Sequence, residues 1–255
     1  ILHHGRRLAA AAWAAGIPDR RGYGARRQRM FLNHGPFLTP QEMKLHQHAR
    51  ATRFLQASGI PLPSAEPRLT VSSLRQDQAR ARLGLNGGFV AIGIGASEDM
   101  RRWSADGFGA LARSLLTAGW PALVLIGGPS DTVAAEKIQA ACGDQGERIR
   151  LAAGWHLADV AALLSQASFY VGNNTGVMNM AAAVDIRTYA LFGTTPVFDH
   201  ARQLVAVTVP DTGVHDGVAR ISVDSVLSVI TADRGSLSPP ENASGIDPIP
   251  ARQPG

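Results

Sequence analysis

Phe169-Tyr170-Val171-Gly172-Asn173-Asn174-Thr175-Gly176-Val177-Met178-Asn179-Met180-Ala181-Ala182-Ala183 turns an apolar run into a glycine-bearing loop and then into an alanine-rich helix. Phe169–Val171 has strand character, and the loop from Gly172 to Gly176 ends it. A loop of this kind ahead of a helix leaves several backbone N–H groups free at the positive end of the helix dipole, which suits an anion. Asn179 lies about one turn inside the helix and shares the face of the loop. The same residues also have the composition of a tight turn, so the loop alone does not separate binding from structure.

Outward from this segment the pattern repeats. Apolar runs with strand character fall at Phe89–Ile94, Ala122–Ile126, Thr188–Phe192 and Leu204–Val209. Helical stretches are predicted between and after them at 105–118, 131–141, 158–166, 176–183 and 224–232. Strands apolar on both faces, alternating with helices, imply a parallel sheet covered on both sides. The fold class is therefore α/β, with a doubly wound, Rossmann-like domain over residues 75–232.

Residues 1–60 read as the end of another domain. A helix is predicted over 6–15, a short strand at Arg21–Tyr23 and a loop over 25–38. A second helix is predicted from Thr39 to Ser58, because Thr39, Pro40 and Glu42 form a capping-box sequence. Pro61, Pro63 and Pro67 mark residues 61–74 as a linker. The proline-rich end, residues 233–255, is predicted to be a disordered tail.

Composition excludes several classes. With 45% hydrophobic and 18% charged residues, the 255-residue chain is neither collagen-like nor disordered. Its single cysteine, Cys142, rules out an internal disulfide. No apolar run reaches the ~18 residues needed to cross a bilayer. Charge is uneven: residues 1–60 hold ten Arg and Lys against Asp19 and Glu42, a net of +8 within a chain whose total is +5. Such a segment suits an anionic partner, or a solvated arginine-rich face. The start, Ile1-Leu2-His3-His4, has no initiator Met, so a fragment or processed product is expected.

In an open parallel sheet, ligands bind where strands end and loops turn into helices. After the first strand, Gly93-Ile94-Gly95-Ala96-Ser97 is followed by Arg101-Arg102-Trp103. The small residues admit a phosphate, Ser97 offers a hydroxyl, and the arginines suit a diphosphate clamp. After the second strand, Gly127-Gly128-Pro129-Ser130-Asp131 leads into a helix. Ser130 or Asp131 is an ordinary N-cap there, and an acid at this place also accepts bonds from ribose hydroxyls. The eight histidines show no metal-ligand spacing, and neither a metal nor a cofactor is expected.

Taken in order, these loops resemble the ADP-heptose:lipopolysaccharide heptosyltransferases, a glycosyltransferase family with two Rossmann-like domains in the GT-B arrangement. The resemblance rests on Gly95-Ala96-Ser97 with Arg101-Arg102-Trp103-Ser104, on Val124 to Pro129, and on Leu151 to Leu164. It is strongest from Val171 to Ala183, followed by Ala190-Leu191-Phe192-Gly193-Thr194-Thr195-Pro196. It implies a donor domain over 75–232 and the C-terminal part of an acceptor-binding domain over 1–60. Ser97 and Arg101 then match phosphate-binding positions, and Asp131 the acid near the ribose. Trp155, His156 and Leu157 fall where family loops hold the adenine. Asn174, Thr175, Gly176 and Asn179 fall at the donor's diphosphate and sugar.

Three residues depart from the family pattern. Asn174 stands where the family has Asp, Asn179 where it has His, and Arg101 where it has Lys. The family's catalytic Asp belongs to an upstream strand and loop, so the general base is expected before Ile1. The implied reaction transfers a heptose-like sugar from an ADP-sugar to an anionic lipopolysaccharide core. The basic 1–60 segment would face that acceptor at the cytoplasmic side of the inner membrane, with no nucleic-acid partner and with peripheral membrane contact. Two alternatives stay open: a non-catalytic nucleotide-sugar-binding relative, and a GT-B transferase using another nucleotide sugar.

Overall fold

Strand β1 (Phe89–Gly93) is buried along its whole length, and its alternate residues enter two different cores. Val90 and Ile92 join one hydrophobic cluster, while Phe89 and Ala91 join the other. A strand apolar at consecutive positions therefore has protein on both sides. The computed structural model describes residues 1–62, 64, 66–193, 197, 201–208 and 217–239. They form two compact units, Ile1–Glu66 and Pro67–Gly255.

In the larger unit, β1, β2 (Ala122–Gly127), β3 (Ile149–Ala153), β4 (Phe169–Asn173), β5 (Thr188–Phe192) and β6 (Leu204–Thr208) form one sheet. Its order is β3-β2-β1-β4-β5-β6 and every pairing is parallel. Helices α4 (Ala105–Thr117), α5 (Thr132–Ala141) and α8 (Val223–Arg234) supply Leu111, Leu115, Ile138, Val226 and Ile230 to one core. The other core receives Ala79, Val160, Leu163 and Met178 from α3 (Ser73–Leu83), α6 (Leu157–Leu164) and α7 (Gly176–Ala183).

In the larger unit one strand and one α-helix lie outside the sequence expectations. Strand β3 carries Arg150 at its second position, yet Arg150 is only 8% exposed, because its guanidinium donates to the carbonyls of Leu83 and Glu147. Helix α3 begins inside the expected linker. Its sequence is mostly polar and only Ala79 is buried. Tertiary bonds hold it: Arg75 pairs with Asp159 of α6 at 2.6 Å, and Gln76 donates to Ser165 at 2.8 Å.

The C-terminal expectation needs correcting at its start. Asp233 and Arg234 complete α8, and Gly235 caps it in the left-handed conformation at φ +76°. Leu237 is also placed, because its carbonyl accepts the Trp120 indole N–H at 2.7 Å. Residues 240–255, Val209 and the Thr194-Thr195-Pro196 motif lie outside the described residues.

The smaller unit holds α1 (Arg6–Ala14) and α2 (Gln47–Ala57). The single helix expected over 39–58 is broken. The Thr39–Glu42 capping box does form, with Glu42 N–H donating to Thr39 Oγ1 at 3.2 Å and Thr39 N–H to Glu42 Oε2 at 2.8 Å. It closes only a 3₁₀ turn, Glu42–Lys44. Leu45 is then extended, and His46 restarts the chain as the N-cap of α2, its side chain accepting from His48 N–H. Arg21 makes only an isolated bridge to His34 instead of a strand, and Arg26–Phe31 is a 3₁₀ helix within the expected loop.

Candidate functional site

The carboxyl ends of β1 and β4 lie side by side, and the chain leaves them in opposite directions, toward β2 and β3 on one side and β5 and β6 on the other. This is the switch point at which an open α/β sheet opens a crevice. Residues 94–103 follow β1, 128–131 follow β2, 154–156 follow β3, and 174–175 join β4 to α7.

The start of α7 is open. Thr175, the N-cap, is extended and makes no side-chain capping bond, so the first amides of the helix have no partner within it. Gly176 is exposed, and a Cβ added there would meet nothing within 4 Å. An anion has both space and donors at this point. The two asparagines sit less freely. Asn174 is buried, at 4% exposure, and Asn179 donates back to the Thr175 carbonyl at 3.4 Å.

Ser97 is exposed on the β1 loop. The Arg101 guanidinium has its Nε 3.3 Å from Glu98 Oε2 across the surface of the loop. That Nε has no hydrogen-bond partner. A half-exposed pair of this kind is worth at most about 1 kcal/mol, so an incoming diphosphate competes for the arginine at little cost.

Arg102 and Asp131 are paired with each other. Asp131, the acid expected near a ribose, has a side chain only 6% exposed and both of its oxygens are engaged. Oδ1 takes Arg102 Nη1 at 2.6 Å, and Oδ2 accepts the Gly128 N–H at 2.8 Å. Arg102 Nη2 also donates to the Ala96 carbonyl. The glycines of both loops make room for this carboxylate. A Cβ on Gly95 would stand 2.9 Å from Asp131 Oδ2, and one on Gly127 would stand 2.9 Å from its Cβ. The sequence reading gave the small residues after β1 to an incoming phosphate and Gly127 to a turn, whereas Gly95 and Gly127 both make room for a side chain of the protein.

Asn173 was missed as a site residue. It is fully buried at the end of β4. Its Oδ1 accepts the Trp103 N–H at 3.0 Å, and its Nδ2 donates to the carbonyls of Ile94 at 2.9 Å and Gly95 at 3.2 Å. One carboxamide thus fastens both ends of the β1 loop to the strand that leads into α7. Two adjacent asparagines read alike in a sequence. Strand alternation, which turns neighbours to opposite sides, was the signal that distinguishes them. Trp103 is fastened again by its indole, which donates to the Ile221 carbonyl at 2.9 Å.

Past β3, Trp155 is partly buried, and the Arg82 guanidinium of α3 lies 4.1 Å from the centre of its ring. His156 caps α6, its Nδ1 accepting the Ala158 N–H at 3.3 Å, and Leu157 is 64% exposed. β3 lies two strands from β1, about 10 Å across the sheet. Arg82 had no sequence signal as a site residue, because α3 itself was not foreseen. Two other reactive groups of the fold are inert: burial raises the Tyr170 phenol and the Cys142 thiol above their ordinary values.

Comparison with known proteins identifies the family and the fold. The pattern of Glycosyltransferase family 9 (heptosyltransferase) matches residues 7–203. Lipopolysaccharide heptosyltransferase 2 of Salmonella typhimurium is 24% identical over 233 residues, which cover 84% of this chain. The matched region spans 65% of that relative's length. The ADP-heptose lps heptosyltransferase II of E. coli superposes with a TM-score of 0.75 at 22% identity, covering 92% of this chain and 76% of the other. A glycosyl transferase family 9 structure from Veillonella parvula gives 0.73 at 20% identity, with coverages of 92% and 72%. At these identities the structures speak for the fold.

Proposed function

Because the chain belongs to glycosyltransferase family 9 (heptosyltransferase), we propose that it takes part in the transfer of a heptose-like sugar from an ADP-sugar to a lipopolysaccharide core. The open N-terminus of α7 beside the β1 loop carries this reading, since it supplies what a leaving diphosphate needs. In the displacement at the sugar's anomeric carbon, negative charge grows on the diphosphate as the bond to the sugar breaks. The amides at Gly176, the Arg101 guanidinium and the Ser97 hydroxyl stabilise that charge electrostatically. Trp155, backed by Arg82, offers a flat surface to the adenine, and Leu157 an apolar edge. His156 lies beside them. Asn174, Thr175 and Asn179 flank the diphosphate and sugar.

The acceptor is assigned to the smaller unit by charge. Asp19 is paired with Arg21 and Glu42 with Arg53. A groove of about 270 Å³ lined by Arg6, Arg7, Ala10, Arg27, Met30 and Phe31 therefore has three guanidiniums with no acid of residues 1–60 to balance them. Phosphates on a glycolipid core fit that imbalance. No helix among the described residues is long and apolar enough to cross a membrane. Work at the cytoplasmic face of the inner membrane, through peripheral contact, is part of the proposal.

Titration calorimetry with ADP, UDP and GDP tests the donor half. ADP is expected to bind and the other two to bind at least tenfold more weakly. Equal or stronger binding of UDP or GDP would assign the chain to a different nucleotide sugar. Incorporation of labelled heptose from an ADP-sugar into core glycolipid, with release of ADP, tests transfer, and ADP binding without any turnover would mark a non-catalytic relative.

A further inference from the structure

We infer that Asp131, Arg102 and Asn173 form a latch that holds the β1 loop in its binding shape, so that Asp131 acts as a positioning residue and makes no contact with the nucleotide. The inference rests on the proposed donor site and assigns a mechanical role to residues beside it. A ribose ligand needs an acceptor lone pair turned toward solvent. Asp131 turns almost none of its surface there: its side chain is 6% exposed, with Arg102 Nη1 donating to Oδ1 at 2.6 Å and Gly128 N–H to Oδ2 at 2.8 Å. At this burial a sugar hydroxyl gains access by pushing the Arg102 guanidinium aside, which weakens a charge-assisted bond in exchange for a neutral one.

The latch joins three loops of the larger unit. Arg102 spans from the Ala96 carbonyl to Asp131, closing the β1 loop on itself and onto the turn after β2. Asn173 holds the same loop at Ile94, Gly95 and Trp103 to the end of β4. Ser97 and Arg101 lie inside the span so fixed, between residues 96 and 102; Arg101 bonds only locally, to Glu98, among the described residues, and Val218 N–H holds Met100 beside it at 3.1 Å. Their position in the loop is therefore set by neighbours that do not themselves meet the ligand. Arg102 and Arg101 are adjacent and chemically identical, and they divide the work: one guanidinium is committed to the fold and the other is left to a weak surface pair. Preorganisation of this kind raises affinity by removing the ordering cost from the binding step.

Binding of ADP and of inorganic pyrophosphate to the whole chain, measured side by side, separates the two roles of Asp131. Asp131→Asn keeps the shape of the side chain and removes the charge that holds Arg102. A latch predicts that ADP and pyrophosphate weaken by the same factor, roughly threefold to tenfold, the worth of one hydrogen bond. It also predicts that adding Asp131→Asn to Arg102→Lys costs less than it does alone. Weaker ADP with unchanged pyrophosphate would make Asp131 a ribose ligand and overturn the inference, as would no change in either. Hydrogen exchange over residues 94–103 of the free protein gives an independent reading, with faster exchange expected in Asp131→Asn and in Asn173→Ala. Unchanged exchange in both variants would overturn the latch even if the wild-type chain bound neither anion, a result that would by itself remove the donor site.

Discussion

At the scale of single residues, Gly176 and Arg101 give the sharpest tests of the proposed donor site. A methyl at Gly176 meets no atom of the protein within 4 Å, and α7 begins there without strain. Gly176→Ala is therefore expected to leave the melting temperature unchanged or slightly higher, since alanine favours a helix. The methyl would stand over the amides that receive the diphosphate, and ADP affinity should fall roughly tenfold, about 1.4 kcal/mol. Calorimetry beside a thermal melt reads both. Arg101→Ala removes a guanidinium whose one acidic partner among the described residues is Glu98, and a loss of ~1.5–3 kcal/mol in ADP affinity is expected. An unchanged affinity would take Arg101 out of the site. Asn174, which the resemblance gives to the donor site, is 4% exposed.

At the scale of elements, the site depends on how closely β1 and β4 approach. Gly93 and Gly172 are partners across the two strands. A Cβ on Gly172 would run into the Gly93 backbone, and one on Gly93 would run into the Tyr170 ring. Gly172→Ala must therefore spread the strands whose ends carry the β1 loop and α7. We expect a loss of at least ~3 kcal/mol in unfolding free energy by urea titration, since two backbones cannot relax around a methyl as flexible side chains do. A variant as stable as the wild type would show that the sheet tolerates the spread. Strand periodicity and helix caps in the sequence predicted five of the six strands, because strands buried on both faces are continuous apolar runs. β3 escaped because Arg150 interrupts its run, and α3 because its polar surface carries no apolar stripe.

At the scale of the whole larger unit, α8 is tied back to the sheet through one carboxylate. Asp233 accepts from Arg187 Nε at 2.7 Å and from the Tyr189 hydroxyl at 2.8 Å. The Arg187 bond holds the Asp233 carboxyl below its ordinary value of 3.8, and the Tyr189 bond acts in the same direction. A carboxyl lowered in the folded state contributes its full stability above the unfolded value and loses it as pH falls through the folded one. The melting temperature should thus be flat in this respect above about pH 5 and decline below about pH 4. Asp233→Asn should be less stable by about 1–2 kcal/mol at pH 7 and approach the wild type toward pH 3. A constant difference between the two proteins across that range would mean that Asp233 contributes by shape and not by charge.

The sequence by itself determined the α/β class, the doubly wound domain and the loops at which chemistry is expected, because hydrophobic period and turn residues are local and print directly into the order of amino acids. It also carried the ordered motifs that the family match over residues 7–203 reflects. Only the tertiary structure decided which of two neighbouring residues does which work. Arg101 and Arg102, and Asn173 and Asn174, are chemically alike as pairs, and their roles diverge only when each side chain meets its surroundings. Asp131 and the glycines around it are the same case. Residues distant in the chain, such as Gly95 and Asp131, become neighbours through packing, and a contact of that kind has no local signature. The broken helix at Leu45 follows the same rule, since a well-formed capping box started a turn that the chain around it did not continue.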